Sequence, residues 1–233
     1  MQYPDKYRLT TEENLYIAKQ ELVRSIWSGV RLEGFNMTYP DTQTVLDGGR
    51  LTNADPDAII CINNLKRAWR FVLNTLGKPL DLDLLSKINA IVAANDSLEP
   101  GALRTGEGAI GGTSFKPPVI TEEQARALLA RNAEISPITE RAIELFVTFV
   151  KSHMFWDGNK RTSLLAANKL LIENGRGILL IATEDLEKFN QALHEYYEND
   201  NKQGLTDFLY ENTISANNLA ERGAQRLKED STD

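Results

Sequence analysis

The chain has 233 residues, and 26 Lys plus Arg against 33 Asp plus Glu leave a formal charge of −7. An acidic balance argues against a general nucleic-acid binder, which needs a concentrated basic face, and 42% hydrophobic with 25% charged residues excludes a disordered chain. No run of apolar residues is long enough to cross a membrane, and the first residues lack the basic-then-apolar order of a signal peptide. Cys61 alone can form no internal disulfide and anchor no Cys-based zinc site, so a reducing cytoplasm is the expected setting. With His153 and His194 as the only histidines, a multi-His metal site is ruled out.

Helical spacing dominates from the start. Leu15, Ala18, Leu22, Ile26 and Val30 predict one helix over 11–34, with Thr11, Glu12 and Glu13 at its start. A second helix is expected over 57–76, with Ile59, Ile62, Leu65, Trp69, Val72 and Leu76 inward and Gly77-Lys78-Pro79 stopping it. A third is expected over 81–94. Residues 99–118 break the pattern with five glycines and two prolines at the end, and read as an exposed loop or a loose hairpin of a kind more often functional than filler. Thr121 with Gln124 caps the next helix. Amphipathic helices then follow over 137–152 and 159–174, with Gly175 closing the latter. Residues 178–181 read as one short strand, 185–197 and 204–212 as helices, and 215–233 as a polar tail in a frayed helix. Trp27 and Trp69 are core candidates, and His194 reads as a surface or interface residue. The fold class is all-α: one helical domain with a helical N-terminal extension.

The chemistry concentrates between the two strongest helices, in His153-Met154-Phe155-Trp156-Asp157-Gly158-Asn159-Lys160-Arg161. Free N–H groups and the dipole at a helix start attract an anion, and Gly158-Asn159 can turn successive N–H groups inward. Lys160 adds a point charge and Arg161 a bidentate fork. Asp157 would repel phosphate, so it is expected to hold Mg²⁺ against it. His153 can take a proton from an attacking hydroxyl near neutral pH. These parts suffice for phosphoryl or nucleotidyl transfer.

This stretch resembles the signature of Fic-domain proteins, His-x-Phe-x-(Asp/Glu)-Gly-Asn-(Gly/Lys)-Arg. Residues 101–118 resemble the family's β-hairpin flap, and Phe189-Asn190-Gln191-Ala192-Leu193 its later helix. The resemblance implies a Fic fold over 55–212, an extension over 1–54 and a tail over 213–233. It also implies transfer of AMP from ATP to a Tyr, Thr or Ser hydroxyl of a protein. His153 would be the base and Asp157 the Mg²⁺ ligand. Gly158, Asn159, Lys160 and Arg161 would form the anion hole, with Phe155 as an apolar anchor. Ile110, Gly111, Gly112 and Thr113 would hold the target backbone as an added strand. Phe189 and Asn190 would border the adenine. The implied partners are ATP and a protein, with a homodimer as an option, and neither nucleic acid nor a membrane.

Two departures bear on the reaction. Lys160 stands where the common adenylylating members have Gly, and Leu164 where they have a second Arg. The Asn-Lys-Arg-Thr form also resembles the death-on-curing toxins, protein kinases of the same fold, so phosphoryl transfer and a non-catalytic interaction module stand as alternatives. Leu32-Glu33-Gly34 resembles the inhibitory helix of regulated Fic proteins, which makes Glu33 the expected inhibitor. Gly29, however, occupies the usual Ser/Thr position, and without the second Arg, Glu33 would pair with Arg161 or Lys160.

Overall fold

The structure, a computed structural model, describes residues 2–230. Met1 and residues 231–233, the outer ends of the expected extension and tail, lie outside the described residues. Eleven α-helices and one two-stranded sheet make up the fold among the described residues, so the all-α expectation holds.

The first expected helix is two helices, α1 (Thr11–Gln20) and α2 (Leu22–Leu32). Thr10, one residue earlier than expected, caps α1 in a reciprocal capping box with Glu13. The break at Glu21 (φ −89°, ψ 6°) re-aims the chain so that Ile17 and Ala18 of α1 and Ile26 and Val30 of α2 all reach one core cluster. Helix α3 (Tyr39–Leu46) is absent from the sequence reading. At eight residues, with only Thr42 and Val45 buried, it offers too short an apolar period, although Thr38 caps it and Pro40 sits in its first turn.

Helices α4 (Pro56–Leu73), α5 (Leu82–Val92), α6 (Glu122–Ala133) and α7 (Ile138–Ser152) follow close to expectation, with Asp55, Asp81 and Thr121 as side-chain caps for the first three. Helix α8 (Asn159–Glu173) differs in kind. Every residue from 161 to 172 is buried, so the expected single stripe is a helix enclosed on all sides. Its polar members therefore need internal partners. Asn168 donates to the carbonyls of Leu164 (3.0 Å) and Leu179 (2.8 Å), and Lys169 donates to Lys78 O (2.6 Å) and Glu173 (2.5 Å). Gly175, with φ +67°, ends the helix where a Cβ would lie 1.9 Å from Leu9 O, so the position admits no side chain.

Strand β1 (Ile178–Leu179) is shorter than expected and pairs antiparallel with β2 (Ile214–Ser215), Ile178 opposite Ser215 and Leu179 opposite Ile214. Helices α9 (Leu186–Asn199) and α10 (Lys202–Thr213) close the bundle beside α7. The polar tail forms α11 (Ala220–Asp230) and docks on the N-terminal segment. Arg8 N–H donates to Gly223 O (2.9 Å), and Glu13 pairs with Arg222 (3.1 Å) and with Arg226.

The expected β-hairpin flap is not a hairpin. Among the described residues the 99–118 segment contains no paired strands, only one antiparallel bridge from Leu103 to Phe155. A single side chain replaces the ladder. Arg104, 3% exposed, donates through its guanidinium to the carbonyls of His153 (3.2 Å), Pro117 (3.1 Å), Pro118 (3.0 Å) and Gly106. Its backbone N–H bonds Met154 O (2.8 Å). Arg104→Met strands these carbonyls and is expected to cost roughly 2–4 kcal/mol. Thermal unfolding should show a Tm about 5–15 °C lower, and limited proteolysis should cut within 105–118 first.

Candidate active site

Helix α7 ends at His153, which adopts a left-handed conformation (φ 44°, ψ 48°), and α8 begins after Gly158 (φ 71°, ψ 15°). Two left-handed residues thus fold the intervening residues into a tight turn. Phe155, 2% exposed, plugs the turn into the core as expected. Glycine suits position 158, since its φ is +71° and a Cβ would sit 2.9 Å from Val92 Cγ1 and force it to shift.

The Asn159 side chain staples the turn: Phe155 N–H donates to its Oδ1 and its Nδ2 donates to Phe155 O, both at 2.9 Å. The amide expected in the anion hole is therefore engaged, and the contribution left to Asn159 is its backbone N–H at the start of α8. Asn89 of α5, which the sequence reading passed over, is a second staple. Its Nδ2 donates to Asp157 O (2.8 Å) and Thr162 Oγ1 (3.1 Å), and its Oδ1 accepts from Gly101 N–H (2.9 Å). It joins the turn to the base of the 99–118 loop.

One cavity of about 330 Å³ opens against this turn. His153, Asp157, Gly158, Asn159 and Lys160 form one wall, Ile110, Gly111, Gly112 and Thr113 another, and Glu33 and Asn190 complete it. Leu193, His194 and Tyr197 also line it. They share one face of α9 with Asn190 at spacings of three, four and seven, the signal that would have found them. His194 is exposed as expected but stands at the rim of this cavity. Phe189 is a correction: fully buried, it packs against Phe146 and Phe208 and not on the cavity.

Arg161 stands behind the wall, 3% exposed. Its Nη1 donates to Asp96 Oδ2 (3.0 Å) and Val92 O (3.3 Å), and its Nη2 to Asp157 Oδ1 (3.4 Å). Its Nε lies 3.4 Å from Glu33 Oε1, yet neither atom has a hydrogen-bond partner, so the two are paired by charge without alignment. Burial disfavours the charged guanidinium, but Glu33, Asp96 and Asp157 outweigh it and push the Arg161 pKa up. Lys160 donates to Leu32 O (2.8 Å), the end of α2, and lies 3.9 Å from Glu33 Oε1. Glu33 thus faces both cations named for it.

The departures have local causes. Ser28 donates to Ile181 O (2.5 Å), and a Cβ on Gly29 would meet Leu65 at 3.0 Å, so close packing of α2 on α4 takes the place of the usual hydroxyl. Leu164 is buried in the core cluster, where a second Arg would have no solvent.

Burial pushes the His153 imidazole below its ordinary value; Arg104 and Lys160 act in the same direction and Asp157 opposes them. Its Nδ1 is buried without a hydrogen-bond partner. Asp157 is the cavity's hard-metal candidate. Its Oδ1 accepts from Gly158 N–H and Arg161, and its side chain is 44% exposed, which suits a hard cation held jointly with phosphate oxygens. Among the described residues no group of three or more His, Cys, Asp and Glu could hold a metal by itself.

Residues 79–171, which span the turn, α8 and the loop facing them, match the Fic/DOC family profile. The chain carries a Fic/DOC family domain. It is 25% identical over 182 residues to protein adenylyltransferase fic-1 of Caenorhabditis elegans, covering 72% of this chain and 35% of that protein. Over 103 residues it is 30% identical to a probable protein adenylyltransferase of Aquifex aeolicus, covering 42% of this chain and 32% of the relative. The chain therefore spans about a third of the length of these relatives. In fold, the structure of residues 134–508 of C. elegans Fic-1 superposes with a TM-score of 0.74 at 19% identity, covering 95% of this chain and 68% of that one. A Fic-domain signaling protein of Bacteroides thetaiotaomicron gives 0.68 at 17% identity, covering 94% and 92%. At these identities the likeness is one of fold. Helices α1, α2 and α4 are packed on the matched region through the cluster that includes Leu165 and Ile172 of α8. No helix among the described residues is long and apolar enough to cross a membrane.

Proposed function

We propose that the chain is a cytoplasmic protein adenylyltransferase that moves AMP from ATP to a Tyr, Thr or Ser hydroxyl of a protein and is restrained by Glu33. The observation that carries this reading is the single cavity that gathers a neutral imidazole, a half-exposed carboxylate, a helix start and Lys160 opposite the 110–113 loop. His153 takes the proton of the acceptor hydroxyl, whose oxygen bonds the α-phosphorus as the bond to the β-phosphate's bridging oxygen breaks and pyrophosphate leaves. The N–H groups opening α8 and Lys160 hold the phosphates, with Arg161 adding positive potential from behind. Asp157 would hold Mg²⁺, which supplies charge neutralisation for the phosphates when bound. Asn190 borders the base, and residues 110–113 hold the target backbone.

ATP labelled at the α phosphorus tests this against label at the γ. Transfer from the α position alone is the expected result. Transfer from γ alone would instead make the chain a kinase like the death-on-curing toxins, and nucleotide binding without transfer of either label would make it an interaction module.

The pH dependence follows from the base. Since its folded pKa lies below the ordinary value of 6.5, His153 is neutral and competent at pH 7. Activity should be flat around neutrality and fall about tenfold per pH unit only below its depressed pKa. A kcat/KM profile whose acid limb centres above 6.5 would contradict the assignment.

A further inference from the structure

A second cavity of about 440 Å³ lies on the other side of Asp157, between the loop after α5 and Trp156. Asp157 lines both cavities, which places this one beside the candidate active site. Two large apolar side chains are left in the open here. Leu98 is fully exposed and Trp156 is 39% exposed, although its neighbours Met154 and Phe155 are buried. The indole also touches the 99–118 loop: a Cβ on Gly106 would lie 3.1 Å from Trp156 Cη2. A target strand laid along residues 106–113 would therefore pass this indole.

The charges around the cavity are of one sign. Asp96, Glu99 and Asp157 line it, and no Lys, Arg or His does. Asp96 and Asp157 share one guanidinium, that of Arg161, which is 3% exposed and lies behind them. The surface seen from solvent is an indole and a leucine rimmed by excess negative charge. Such a surface fits an apolar side chain next to a cation, which gains both ion pairing and a cation–π contact with the indole.

We propose that this cleft is a side-chain subsite for the protein acceptor, and that it takes an apolar residue adjacent to Lys or Arg. The proposal rests on the reading of the chain as a protein-modifying enzyme, to which it adds the sequence preference that backbone pairing with the loop cannot supply.

Peptide binding without nucleotide tests it. Tryptophan emission is followed while the full chain is titrated with a capped Ala-Arg-Leu-Arg-Ala peptide and with its Ala-Glu-Leu-Glu-Ala counterpart. The basic peptide is expected to bind at least tenfold more tightly. Trp156→Ala, followed by calorimetry, should lose that margin although the net charge is unchanged, and Glu99→Lys should reverse it. Glu123→Lys on α6, an equal change of net charge away from the cleft, should leave it intact. Equal affinity for the two peptides, a margin that survives Trp156→Ala, or equal effects of Glu99→Lys and Glu123→Lys would overturn the subsite. Failure here with label transfer intact removes the subsite alone, whereas peptide discrimination without label transfer removes the proposed enzyme and leaves a binding cleft.

Discussion

Replacing His153 with alanine is expected to abolish label transfer, a loss of at least 10²–10⁴-fold, which is the range for removing a positioned general base. The imidazole stands on the cavity wall and burial lowers its pKa below the ordinary value, so it is neutral and able to accept a proton near pH 7. Alanine also meets a backbone cost, because residue 153 is left-handed (φ 44°) and a Cβ without a polar partner disfavours that region by about 1–2 kcal/mol. His153→Asn separates the two effects. Asparagine tolerates the conformation but supplies no base, so it should unfold near the wild-type temperature and be as inactive as alanine. An active His153→Asn variant would remove the base from the account.

Glu33→Gly is expected to raise auto-modification by about 10-fold or more. The reason is the position of its carboxylate, one residue beyond the end of α2, buried at Oε1 and facing Lys160 on the cavity wall and Arg161 behind it, whose positive potential the phosphates need. A nucleotide anion must displace a charge already in place, and a charge-assisted contact of about 1.5–3 kcal/mol corresponds to roughly 10–150-fold in occupancy. The variant should remain folded, because Asp96 and Asp157 still neutralise Arg161 from its other side. Nucleotide affinity measured by calorimetry should rise with the activity. Equal activity and affinity in variant and wild type would dismiss Glu33 as an inhibitor.

What could be read in the sequence was what depends on neighbours along the chain. The cap at Thr121, the stop at Gly175 and the turn between His153 and Asn159 are set within a few residues, and each stands where expected. Eleven of the expected site residues line one cavity because that turn, the loop, the end of α2 and α9 converge; Arg161 lies just behind it and Phe189 is in the core. What was illegible depends on distant partners. Asn89 and Arg104 look like ordinary polar residues, and only the fold brings Asn89 against the carbonyl of Asp157 and Arg104 against four carbonyls around the loop. Asp96 gives no local sign that it will meet Arg161. The glycines of 99–118 left an exposed loop or a loose hairpin open and the family resemblance implied the hairpin, but the segment is a loop held by a buried guanidinium. Likewise the polarity of 215–233 suggested a frayed helix, yet Arg222 and Arg226 find Glu13 at the other end of the sequence.

In the proposed reaction the turn between α7 and α8 positions ATP for attack at its α-phosphorus. The intact mass of the Glu33→Gly chain after incubation with Mg²⁺ and ATP reads this directly. A gain equal to an AMP moiety, absent from the Glu33→Gly, His153→Ala double variant, is expected; a gain equal to a phosphate, or an AMP gain that persists without His153, would overturn the proposed transfer.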